Sequence, residues 1–223
     1  MQLTPDEIVY WQQGFWTLNA TLLFTWVAMV LLVGGARLVT RNLVTGAHAP
    51  ARQAFLESLV TLIQAQIREI TGQEPTRFLA FVGTLFLFIV TLNLLSIVPG
   101  YRAPTGSLST TAALATCVFL AVPIYGIQHK GLRNYLRLYI QPSVFMLPFN
   151  IIGELSRTLA LAVRLFGNVM SGEMIIAILL AIVPLFFPIV MQLMGMLVGV
   201  IQAYIFAVLA TVYIASATSQ NPA

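Results

Sequence analysis

The stretch LALAVRLFGNVMSGEM, residues 159–174, places an arginine, an asparagine and a glutamate inside a run that otherwise reads as membrane. Ionised side chains are costly in hydrocarbon, and where they occur they face a bundle interior or a water-filled path. The rest of the chain fixes that setting. Of its 223 residues, 59% are hydrophobic and 8% charged, against about a quarter charged in a soluble domain. Mean hydropathy is +0.90. Such a chain cannot cover itself with hydrated surface. It reads as one all-α integral membrane domain, with the lipid bilayer as most of its solvent.

Working outward, a spanning helix needs about 20 mostly apolar residues. Runs of that kind lie at 15–36, 78–98 and 108–127. The run 143–187 is too long to stand upright, since a helix of that length reaches roughly 65 Å against a hydrocarbon core of about 30 Å. The last run, 188–217, is also over-long. The expected architecture is five membrane-crossing helices with the last two long and tilted. Segment 1–14 is an external N-terminal segment, with Trp11 and Trp16 as interfacial anchors. Residues 51–73 differ: Leu56, Val60, Ile63, Ile67 and Ile70 share one helical face, and Glu57, Thr61, Gln64 and Arg68 another. That pattern predicts one amphipathic surface helix, with a soluble connecting helix as the blander alternative. HKGLRNYLRLYIQP, 129–142, reads as a polar, basic connector.

Basic residues set the orientation. Arg37, Arg41 and Arg52 follow the first span and Lys130, Arg133 and Arg137 the third, while the loop between the second and third spans holds only Arg102. This predicts an external N-terminus, a cytoplasmic C-terminus and a surface helix on the cytoplasmic side. MQLTPDEIVYWQQGF does not read as a cleaved signal peptide. The net charge of +4 is scattered rather than clustered, so it does not point to nucleic acid. One cysteine, Cys117, excludes an internal disulfide, and two histidines outside the apolar runs argue against a haem pair. No metal or cofactor site and no Ser/His, HExxH or paired-aspartate constellation is evident.

In the fifth run, Arg157, Arg164, Asn168 and Ser171 share a face. Glu173 lies nine residues past Arg164, about 13 Å along the axis and half a turn around it. Glu154 pairs more naturally with Arg157. In the last run, Gly195, Gly199 and Gln202 share a face, and Tyr213 returns close to Gln202 in direction. Small residues let helices approach closely, so this face is expected to dock on the Arg164 face, with the Gln202 oxygen accepting from the guanidinium. Blander readings stand beside these: Arg164 snorkelling to the interface, Gln202 as interhelical glue, Glu173 as a protonated structural acid. An unpaired buried guanidinium costs several kcal/mol. Since no acid here sits at helix-neighbour spacing from Arg164, its carboxylate partner is expected on another protein.

LPFNIIGELSRTLALAVRLFGNVMSGEM (147–174), with VIQAYIFAVLATVYIASA (200–217), resembles subunit a of F-type ATP synthases. RLFGN, the S-G-E step and QAYIF are its specific parts, and the wording looks most like the bacterial branch called N-type ATPases. The resemblance implies a static, non-catalytic subunit in a bacterial inner membrane. It would lie beside a ring of c subunits that contacts the last two helices, and would bind b-type subunits of the peripheral stalk. It implies that H+ or Na+ is carried through two offset half-channels. Arg164 matches the family's essential arginine, Asn168 the polar residue one turn on, Glu173 a half-channel position, Gln202 the glutamine facing the arginine, and Tyr213 a polar aromatic. Thr158 departs from a frequent proline, and Gly195 stands where some relatives carry an ionisable residue. The competing class is a secondary transporter or autonomous ion channel, which would move solute alone; inverted repeats, a common signature of such transporters, are not seen.

Overall fold

The computed structural model describes residues 6, 9–13, 16–41, 51–98, 100–140, 145–182 and 187–218. Two short strands, β1 (Val9–Gln13) and β2 (Trp16–Asn19), form an antiparallel hairpin. Seven helices follow: α1 (Ala20–Thr40), α2 (Ala51–Thr71), α3 (Thr76–Leu94), α4 (Leu108–Lys130), α5 (Leu132–Ile140), α6 (Met146–Ile182) and α7 (Phe187–Thr218). One-turn 3-10 segments at Leu95–Ile97 and Pro104–Gly106 shape the loop between α3 and α4. Five helices, α1, α3, α4, α6 and α7, are long and apolar enough to cross a membrane. The membrane body is therefore all-α, because lipid offers backbone groups no partners outside their own helix.

Boundaries differ from the apolar runs in places. The first helix starts at Ala20 rather than at 15, because Trp16–Asn19 pair with β1. Trp and Thr are strand-favouring residues, and hydropathy alone does not separate them from a helix start. Phe15, residues 143–144 and residues 183–186 of the expected runs lie outside the described residues. α6 spans 37 residues and α7 spans 32, both longer than an upright crossing requires. The connector is not featureless: Leu132–Ile140 is helical. Gly131, at φ +80°, makes this possible. Its N–H donates to Ile127 O (2.8 Å) and closes α4, while its carbonyl accepts from Tyr135 N (3.0 Å) and opens α5.

The core is organised around α7. Its Ala203, Phe206 and Ala210 pack with Leu85 and Ile89 of α3, Ala115 and Val118 of α4, and Leu161 and Leu165 of α6. Alanines on that surface let the neighbouring helices come close, so dispersion contacts substitute for a hydrophobic drive that lipid does not supply. Further along, Ala207, Ile214 and Ala217 meet Phe78 and Val82 of α3. The amphipathic helix joins this second cluster: Ile63 and Ile67 are buried, whereas Glu57, Thr61 and Arg68 remain exposed. Its apolar face thus rests on α3 and α7. Hydroxyls within the helices bond back to the preceding turn, as Thr91 Oγ1 does to Leu87 O (2.8 Å) and Thr211 Oγ1 to Ala207 O (2.8 Å). Each is satisfied without leaving its own helix.

Tyr135 anchors α5 against α4. A Cβ on Gly126 would lie 2.5 Å from Tyr135 Cε2 and 2.7 Å from Cδ2. Gly126→Ala therefore displaces the ring and is expected to destabilise the fold by about 1–3 kcal/mol. Thermal unfolding of the purified protein followed by circular dichroism checks this; the smaller Tyr135→Leu in the same background should recover part of the loss.

Candidate functional site

Three helices meet at a polar seam near one end of the bundle. On α6, Asn168 Nδ2 donates to Gln202 Oε1 of α7 at 3.2 Å. On α3, buried Asn93 donates through Nδ2 to Gly199 O at 2.9 Å and accepts through Oδ1 from Thr105 Oγ1 at 2.9 Å. A Cβ at Gly199 would lie 3.0 Å from Asn93 Cβ and Cγ. Gly199 is thus the small residue that lets the amide reach the α7 backbone. One turn towards the loop, Gln192 Nε2 donates to Ser96 O at 2.6 Å.

This seam borders an open cavity of about 520 Å³ between α3, α6 and α7. Asn168, Ser171 and Glu173 line it from α6, and Gly195, Gly199 and Gln202 from α7. Tyr101 and Arg102 close it from the loop. Glu173 is half-buried, and a Cβ at Gly106 would stand 3.4 Å from both of its carboxylate oxygens. Tyr101 packs edge-on against Phe24 of α1, with ring centroids 4.7 Å apart. Burial pushes its hydroxyl above the usual phenol range, so it stays neutral.

A second polar group gathers towards the other end of α6. The Arg157 guanidinium lies over the Tyr213 ring, 5.8 Å from its centroid. Glu154, Thr158 and Ser216 join them around a small cavity of about 20 Å³. The two interhelical contacts share one antiparallel register, Asn168 with Gln202 and Arg157 with Tyr213. By the same register Arg164 stands level with Phe206, which is buried and carries no hydrogen-bonding group. Arg164 itself is exposed, and no ion pair or side-chain hydrogen bond joins it to any other described residue. Leu159 and Val163, within five residues of it on α6, are exposed as well, whereas the exposed Leu197 and Ile201 of α7 stand level with Glu173 and Val169. The guanidinium thus sits on an apolar outer face between the two polar groups.

Two expectations are corrected here. Gln202 is not the acceptor for Arg164: four residues separate them in register, about 6 Å along the axis, and the nearer Asn168 amide takes the oxygen. Gly199 faces Asn93 of α3 rather than the Arg164 face, and nothing lies within 4 Å of a Cβ built on Gly195. Tyr213 shares a helical direction with Gln202 but meets Arg157, three turns away. Sequence reasoning passed over Asn93, Thr105, Tyr101 and Asp6. Asn93 had a signal, since Asn93 and Ser96 are polar residues at i, i+3 in an apolar run.

The family model described as ATP synthase A chain matches residues 22–215. The chain is 62% identical over 219 residues to ATP synthase subunit a 2 of Picosynechococcus sp., covering 98% of this chain and 94% of that one. It is 59% identical over 218 residues to ATP synthase subunit a of Albidiferax ferrireducens, with 98% and 94% covered. Against ATP synthase subunit a 1 of Chlorobaculum parvum, identity is 57% over 218 residues, with 98% and 96% covered. With relatives this similar along nearly its whole length, and with five helices fit to cross a membrane, the chain belongs to the ATP synthase subunit a family, of the F type.

Proposed function

We propose that this chain is the static ion-conducting subunit of a bacterial Fo sector, loading and unloading H+ or Na+ on carboxylates of a rotating c ring through two offset half-channels. The observation that carries this reading is the position of Arg164: charged, exposed, without an ion-pair or hydrogen-bond partner among the described residues, and set between two separate polar groups on α6. A guanidinium on an apolar face needs an anion. A ring carboxylate passing that face supplies one.

In this scheme an ion reaches the ring from the cavity at Glu173, with Asn168, Ser171 and Gln202 as its polar walls. The second route runs by Glu154, Arg157 and Tyr213. Arg164 separates them. It favours the ionised form of the passing carboxylate and repels a cation moving directly from one route to the other. It takes no part in proton relay, because arginine keeps its proton. The ring contacts the apolar α6–α7 face, and b-type stalk subunits bind elsewhere. The basic ends of α1 and α4 support a cytoplasmic C-terminus, with the cavity at Glu173 then on the outer side.

Arg164→Ala is expected to abolish ATP-driven ion pumping by the complete complex in vesicles while ATP hydrolysis becomes uncoupled. Arg164→Lys is not expected to restore it, because a point-like ammonium has a different reach and a more readily shifted pKa. Retained coupled pumping in the alanine variant contradicts the assignment. Glu173→Gln is expected to slow ion transport by roughly 100-fold or more, in the range of a lost proton-transfer group, with the subunits still co-purifying. Vesicles holding the chain alone should conduct neither ion; conductance there would identify an autonomous channel.

A further inference from the structure

We infer that Asp6 is a positioning residue for ion transfer at Glu173, acting as a latch that holds the 103–107 loop against the Glu173 carboxyl. The inference rests on the proposed role of Glu173. Three observations place the latch. Asp6 accepts from Thr21 Oγ1 of α1 through Oδ1 at 2.6 Å, and from Ser107 Oγ through Oδ2. Its two oxygens therefore tie the first spanning helix to the start of α4. Ser107 follows directly on Gly106, the residue whose Cβ position touches both Glu173 oxygens. Lastly, the segment is packed: Ala103, Pro104, Thr105, Gly106 and Ser107 are all buried.

The physical logic concerns how the loop is held. Thr105 fastens it to Asn93 of α3. Ser107 Oγ also lies 2.6 Å from Ser109 Oγ. Asp6 is the charged member of this set, and hydrogen bonds to an ionised acceptor are about twice as strong as neutral ones. A carboxylate also offers two acceptor oxygens, which an amide does not. Without it, α1 and the loop lose their common acceptor, and the wall opposite Glu173 is free to shift. The glycine leaves no side chain to compensate. A wall displaced by about 1 Å changes proton or ion transfer steeply, because transfer needs heavy atoms within hydrogen-bond reach.

The test uses the complete complex reconstituted in vesicles, with ATP-driven pumping as readout and subunit co-purification as the assembly control. Asp6→Ala and Ser107→Ala each break the Asp6–Ser107 bond and are each expected to slow pumping roughly tenfold, the scale of a lost charge-assisted hydrogen bond at the loop. The double variant should be no slower than either single, since both break one latch. Asp6→Asn should fall between, keeping one acceptor oxygen. The rate that Thr21→Val loses should be regained in Thr21→Ser, which restores the hydroxyl; a purely bulk structural role would not follow the hydroxyl. Multiplicative losses in the double variant, or an Asp6→Ala complex that pumps at the parental rate while Glu173→Gln is slow, overturns the latch alone. If Glu173→Gln pumps at the parental rate, the role of Glu173 fails instead. A slow Asp6→Ala complex beside it then marks Asp6 as structural.

Discussion

Arginine keeps its proton at any pH a cell meets, so Arg164 cannot escape a low-dielectric surrounding by neutralising itself. That constraint organises the α6–α7 pair. The α7 groups able to meet the guanidinium from within are engaged elsewhere: Gln202 accepts from Asn168, and Tyr213 lies under Arg157. Between these contacts, at the level of Arg164, α7 offers only the buried ring of Phe206. Had Gln202 stood one turn later, Arg164 would hold an internal acceptor and Asn168 would need another. The observed register keeps the charge available at the surface and leaves the seam on either side satisfied.

The same economy governs α7. As the central helix it must approach α3, α4 and α6 at once, and it does so through Gly199, Ala203, Ala207 and Ala210. Small side chains alone would leave the helices free to slide, because lipid competes equally for apolar contact. Asn93 to Gly199 O, Gln192 to Ser96 O and Asn168 to Gln202 set the axial position of α7 against both neighbours. All three bonds lie along the cavity at Glu173, so the residues that fix the packing also wall the water-accessible space.

Much of the fold was legible in the chain because the bilayer imposes length and apolarity on each crossing. The amphipathic face of α2 was legible for the same reason, although not that Ile63 and Ile67 rest on α3 and α7. The hairpin before α1 was hidden because Trp16, Thr17 and Leu18 suit a strand or a spanning helix equally. α5 was passed over because it is only nine residues long, although Leu132, Tyr135, Leu136 and Tyr139 do recur at helical spacing. In the site, Arg164, Asn168, Glu173 and Gln202 announced themselves as polar groups in apolar helices. Their pairing did not. A helical period gives direction around one axis, but the register between two helices depends on both loops and on third parties such as Asn93. This is why Tyr213, which points as Gln202 does, ends beside Arg157.

The two polar groups on α6 differ in kind, and the difference follows from what surrounds them. At Glu173 the walls include a loop, Gly195 and Gly199, which add little volume, and the space opens to about 520 Å³. At Glu154 and Arg157 the walls are side chains of α4 and α7, among them Phe119 and Tyr213, and about 20 Å³ is left. Under the proposed function, ions would approach the ring through a roomy aqueous pocket on one side and a tight, side-chain-gated route on the other. A membrane potential of 100 mV adds about 2.3 kcal/mol per charge to the drive for direct leakage. Under the same proposal Arg164, about 13 Å from Glu173 and about 10 Å from Arg157 along the helix, would put a fixed positive charge between the two. Because arginine keeps its proton, such a barrier would hold at the pH of either side.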